Sequence, residues 1–232
     1  TLNGARERLR ELAPADGATV EVRPGDYLME VPLTLTADDS PATGSRILYR
    51  ATEKGAARLM GGVEITGFEP WKGNILKADV SHLTLEKMPS PEFSRFSGNI
   101  PGFEVFFDGR RMPLARWPNR VFDHPRWGNW AYIPKTTAKT RSWFHYPGDR
   151  PSGWKRPQEA QVHWFPYYNY MDQYVGVASI DTEKKLIHLA DQAVYEIQPG
   201  RRFYVRNVFE ELDAPGEWYF DRQERQLYFL PP

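Results

Sequence analysis

Five acids crowd one short stretch near the end of the chain: Glu210, Glu211, Asp213, Glu217 and Asp221. Two carboxyl groups can flank a bond and hydrolyse it, provided they are held a fixed distance apart. These five surround Pro215-Gly216 and a strand-turn-strand pattern, where solvated or turn-forming acids are the ordinary occupants. The stretch therefore offers no assigned catalytic residue. The five histidines, His82, His124, His145, His163 and His188, show no His-x-x-x-His spacing for a metal. Asp38-Asp39-Ser40 has the oxygen ligands that calcium prefers, but two adjacent acids make a turn sooner than a cage. Gly-x-Ser-x-Gly is absent, and Ser97-Gly98 lacks the strand-to-helix setting of a nucleophile elbow. No metal ligand set and no cofactor site is expected.

Aromatic residues carry the remaining chemistry. The chain holds 8 Trp, 12 Tyr and 13 Phe, enough to fill a core and still leave flat faces for a ligand. Trp127 and Trp130 with Tyr132, or Trp164, Tyr167, Tyr168 and Tyr170, can form a platform on which a sugar ring stacks, or else a core and a domain interface. Arg116 and Trp117, before Pro118-Asn119, either fix a loop or stand at a cleft rim, where the arginine meets an anionic or hydroxylated ligand.

The elements that must position these residues are short. Leu2, Ala5, Leu9 and Leu12 recur at helical spacing, which predicts an amphipathic helix over 2–13 with Thr1 or Asn3 as its cap and Pro14 as its stop. Strand-like runs succeed it at 19–22, 27–29, 33–35, 47–51 and 58–60, separated by Pro24-Gly25, Lys54-Gly55 and Gly61-Gly62. Such runs form a meander, or the first coils of a parallel β-helix with the helix covering its open end. Asp108-Gly109 predicts a tight type I′ hairpin between strands at 104–107 and 110–114. Residues 120–160 show no sustained period and read as a long surface excursion. Strands at 175–180 and 186–189, and at 218–220 and 227–230, form two hairpins of one build, each with an Asp at the turn entrance.

Composition narrows the partners. Thirty basic and thirty acidic side chains cancel, which argues against a general electrostatic hold on nucleic acid or an anionic membrane. No apolar run has the length of a membrane span, no signal peptide heads the chain, and no cysteine fixes a redox compartment.

Several motifs resemble secreted bacterial right-handed β-helix proteins that act on polysaccharides, in the fucosidase and xylosidase β-helix families. They are Gly25-Asp26-Tyr27 as a coil corner, Gly61-Gly62 with Ile65, Asp108-Gly109 followed by Arg, and Ala115-Arg116-Trp117-Pro118-Asn119. The resemblance implies an all-β fold: a capping helix and first β-helix coils over 1–67, then an inserted antiparallel β-sandwich or barrel-like domain over 68–232. It also implies the N-terminal part of a glycoside hydrolase, with catalytic acids on later coils beyond this chain. A carbohydrate and the remainder of the β-helix are the implied partners, and an extracellular or periplasmic location is expected, with Arg116, Trp117, Trp127, Trp130, Trp164, Tyr167 and Tyr170 as candidate substrate contacts. A carbohydrate-binding module and a structural β-helix adhesin segment are the alternatives.

Overall fold

The computed structural model describes residues 1–41, 44–83, 104–121, 128–136 and 138–232. The chain divides into two compact units, Thr1–Ile65 and Thr66–Pro232.

The first unit opens with α1, Leu2–Leu12. Thr1 caps it, its side chain accepting from the Gly4 amide at 3.0 Å, and Ala13 ends it in the left-handed region at φ 41°. Arg6 and Arg10 reach from the helix to the segment 34–39: Arg6 donates to the Thr34 carbonyl at 2.8 Å, and Arg10 grips both oxygens of Asp39 at 2.7 and 2.9 Å. The Arg10 hydrogen bond holds the Asp39 carboxyl down at about 2. Asp38 and Asp39 thus belong to a 3-10 turn, Ala37–Asp39, closed by a Thr36 capping box.

Among the described residues, four strands make up the rest of the unit's regular structure: β1 (Ala18–Val22), β2 (Gly25–Met29), β3 (Ile47–Ala51) and β4 (Ala57–Gly61). β1 pairs β3 and β2 pairs β4, both in parallel, with Ala18 opposite Ile47 and Gly25 opposite Ala57. Gly17 precedes the first pair at φ 82°, where a Cβ would stand 2.3 Å from the Arg46 carbonyl oxygen, so only glycine fits. Residues 33–35, expected as a strand, run without regular structure. Leu28, Leu48, Leu59 and Met60 remain exposed along these strands.

The second unit contains β5 (Glu69–Lys72), β6 (Ile75–Asp79), β7 (Phe106–Phe107), β8 (Arg110–Arg111), β9 (Arg116–Trp117), β10 (Ala131–Tyr132), β11 (Trp143–His145), β12 (Gln161–Trp164), β13 (Gln173–Asp181), β14 (Leu186–Leu189), β15 (Arg202–Arg206), β16 (Trp218–Asp221) and β17 (Gln226–Phe229). Among the described residues these make an antiparallel sheet in the order β10-β15-β12-β13-β14-β11, with β9 also on β15, a sheet β16-β17-β6-β5, and the hairpin β7-β8. The sheets are small and open, so no barrel closes among the described residues. Asp108 and Gly109 both take positive φ, at 48° and 68°, as a type I′ turn between β7 and β8 requires. Asp181 accepts from the Lys184 amide, and Asp221 from those of Gln223 and Glu224, so each aspartate entering a hairpin closes its turn.

The core lies on one side of the larger sheet, where strand alternation sends Val162, Trp164, Val175, Val177, Phe203 and Val205 inward. Ile133, Phe144, Tyr146, Trp154 and Ala160 join them. The stretch read as a surface excursion over 120–160 is thus largely exposed or half-buried where described, but it is pinned to the core by these residues. Its strands are two and three residues long, too short to show a period.

Candidate functional site

The other side of the larger sheet carries charge and aromatic rings in rows. Arg116 on β9 stands directly opposite Arg206 on β15, which stands opposite Gln161 on β12. In the next row Tyr204 on β15 faces His163 on β12, which faces Tyr174 on β13. The guanidiniums lean across to this second row. Arg116 sits 3.7 Å above the Tyr204 ring and Arg206 4.2 Å above Tyr174, in cation–π geometry.

The two guanidiniums and the imidazole are nearly withdrawn from solvent: Arg116 and Arg206 are each 8% exposed and His163 is 9% exposed. Arg116 Nε donates to the Pro118 carbonyl at 2.8 Å, across the cis Trp117-Pro118 bond, and Nη2 donates to the Asn129 carbonyl at 2.6 Å. Arg206 gives Nε and Nη2 to one oxygen of Gln161. Burial pushes the Arg116 guanidinium down to about 10 and lowers Arg206 as well.

His163 stacks on Tyr174 at 4.2 Å and has Trp130, Phe165 and Tyr204 around it. Its Nε2 lies 2.9 Å from Asp172 Oδ2. Burial lowers the imidazole pKa against the pull of Asp172, and both guanidiniums push the same way as burial. The His163 hydrogen bond lowers the Asp172 carboxyl, so an ionised, accepting carboxylate fixes Nε2 as the donor. Nδ1 then carries the lone pair, buried and without a partner among the described residues; the Trp130 indole N–H is likewise buried and unbonded.

A second surface lies on the loop after β12. Tyr168 and Tyr170 stack at 5.3 Å with 24° between planes, and Tyr167 and Tyr195 pack beside Tyr168. Tyr170 is 77% exposed, which leaves one ring face open to a ligand.

The crowded acids have structural partners. Glu211 is fully buried and accepts from the Trp154 indole at 2.7 Å and from Arg150. Glu217, also buried, accepts from the Asp213, Ala214 and Arg116 amides, and burial pushes it up to about 8. Asp221 pairs with Arg156, while Glu159 takes the Tyr219 hydroxyl. No group of three or more metal-ligating side chains forms among the described residues, and none of the described helices is long and apolar enough to cross a membrane.

Of the sequence candidates, Arg116 and Trp130 share the polar face, and Tyr167 and Tyr170 share the exposed tyrosine surface. Trp164 has no exposed surface and belongs to the core, its ring tilted against Phe144, so it presents no face to a sugar. Trp117 is half-buried against Trp154 and Phe203 on the core side. Trp127 lies outside the described residues. The face also contains His163, Tyr174, Tyr204 and Arg206, which no sequence motif marks as ligand contacts. Their signal is alternation, since β12 and β15 read apolar inward and polar-aromatic outward.

No family model matches the sequence, and no curated protein matches it. Among solved structures, a chain titled "Glycoside hydrolase" is similar at a TM-score of 0.66 and 18% identity, over 100% of this chain and 40% of that one. The chain thus shares the fold of a segment within a glycoside hydrolase and spans less than half of that protein's length.

Proposed function

We propose that this chain is the N-terminal part of an exported bacterial glycoside hydrolase. In this reading α1 and β1 to β4 cap and begin a right-handed β-helix, and the second unit is an antiparallel insertion that shapes the substrate cleft. The observation that carries the reading is the pairing of β1 with β3 and of β2 with β4, both parallel and in the same order. Two strands of one coil laid on two strands of the next are what stacked coils require, and further coils would cover Leu28, Leu48, Leu59 and Met60. The likeness to part of a glycoside hydrolase supports the same reading.

The catalytic acids are proposed to lie outside these residues. Glu211, Glu217 and Asp221 are each occupied by internal donors, and a catalytic pair must instead face one open bond. The exposed Tyr168 and Tyr170 favour a second reading, a non-catalytic carbohydrate-binding module. The intact mass of the native gene product separates the two. A product far above 26.9 kDa supports the hydrolase, and one that ends at Pro232 removes it in favour of a binding module.

A further inference from the structure

We propose that Arg116 and Arg206, together with His163, bind the carboxylate and a neighbouring hydroxyl of an acidic sugar. Like charges directly opposite one another across strands repel, and buried arginines are almost always paired with an acid. Arg116 and Arg206 break both rules at once, since neither guanidinium reaches a carboxylate among the described residues. Elsewhere in the same unit, by contrast, Arg150 meets Glu211 and Asp213, and Arg156 meets Asp221.

Each guanidinium keeps Nη1 uncommitted among the described residues, because the bonds it makes run through Nε and Nη2. A carboxylate matches two such donors and neutralises a repulsion that the fold otherwise carries. The exposed Arg111 and Glu104, paired with each other, lie within electrostatic range of Arg206.

His163 supplies what a bare anion does not need. Its Nδ1 is an acceptor awaiting a donor, in the row onto whose rings both guanidiniums lean. The groups facing this imidazole are Asp172 and Tyr174 from β13 and the loop before it, Tyr204 and Arg206 from β15, and Arg116 from β9. A hydroxyl donor suits Nδ1, while the faces of Tyr174 and Tyr204 are already taken by His163 and the two guanidiniums. A carboxylate for the two Nη1 donors and a hydroxyl for Nδ1 together describe a hydroxylated acid, of which a uronic acid is the carbohydrate form. The sugar half of this assignment rests on the carbohydrate function proposed above; the anion half rests on the arginines alone.

Calorimetric titration of the 232-residue chain with glucuronate, glucose, acetate and a neutral hexasaccharide tests it. Glucuronate is expected to bind saturably at low ionic strength, with acetate at least about tenfold weaker and glucose weaker still. Arg206→Gln is expected to weaken glucuronate by about tenfold or more without changing the hexasaccharide. Arg116→Gln gives the same reading if the first variant does not fold. The absence of saturation by about 50 mM glucuronate overturns the proposal, as does glucose binding equally well. Acetate equal to glucuronate overturns the sugar assignment and makes the pair a socket for a protein carboxylate. Hexasaccharide binding without glucuronate binding removes this site and leaves the carbohydrate function standing. Failure of every sugar removes both.

Discussion

Arg116 and Arg206 occupy directly opposed positions in an antiparallel pair, both buried, and each rests its guanidinium on a tyrosine of the next row. Among the described residues neither guanidinium forms an ion pair: Glu217 takes the Arg116 backbone amide, and the Glu104 carboxylate within range of Arg206 is paired with Arg111. Their charges therefore cost stability in the unliganded chain, a cost that proteins carry where a ligand repays it.

Replacing Arg206 by Met should stabilise the unliganded chain. The change removes one of two buried like charges and keeps a long apolar stem over Tyr174. A gain of about 1–2 kcal/mol is expected, or roughly 2–4 °C in Tm for each kcal/mol. Thermal unfolding followed by circular dichroism checks this, and a lower Tm would mean that the guanidinium is structural.

Glu217 sets a pH dependence. Its folded-state pKa, raised by burial to about 8, lies above that of the unfolded chain, so the folded state binds the extra proton in between. The contribution is fully present in acid and lost as pH rises from about 5 to about 8. Glu217→Gln, neutral throughout, should flatten this decline and be the more stable form at pH 8. Denaturant midpoints at pH 5, 6.5 and 8 measure the slope, and parallel profiles for the two proteins would refute it.

Tyr170 should act on ligand and not on stability. With 77% of its surface exposed, Tyr170→Ala is expected to leave Tm within about 1 °C while weakening a bound oligosaccharide by about tenfold or more. Affinity electrophoresis in a polysaccharide gel compares the two forms. Unchanged retardation would dismiss the stacked tyrosines as a sugar platform.

Trp164 should do the reverse. Its ring is wholly enclosed among core residues including Phe144, so Trp164→Ala should cost about 3–5 kcal/mol, read from urea unfolding. A loss below about 1 kcal/mol would place it outside the core.

Where local chemistry decides an element, the sequence reveals it. Thr1, the helical spacing of Leu2, Leu9 and Leu12, the Asp108-Gly109 turn, and Asp181 and Asp221 at their hairpins all act within a few residues. The site depends on pairings that no local pattern encodes. β9 is two residues long, and only its register on β15 reveals that Arg116 meets Arg206 from far along the chain. Trp164 and Tyr170 look alike as aromatic neighbours in sequence. One ends an inward-facing strand position and the other an exposed loop, a difference set by β12 alternation and by the turn beyond it.

The proposed function places this chain in a glycoside hydrolase whose reacting acids lie elsewhere in the protein. Hydrolysis of neutral and uronic-acid-bearing oligosaccharides, by the intact native product and by the 232-residue chain, tests it most directly. Turnover is expected from the intact product and none from the chain alone. Turnover by the chain alone, or by neither, would contradict it.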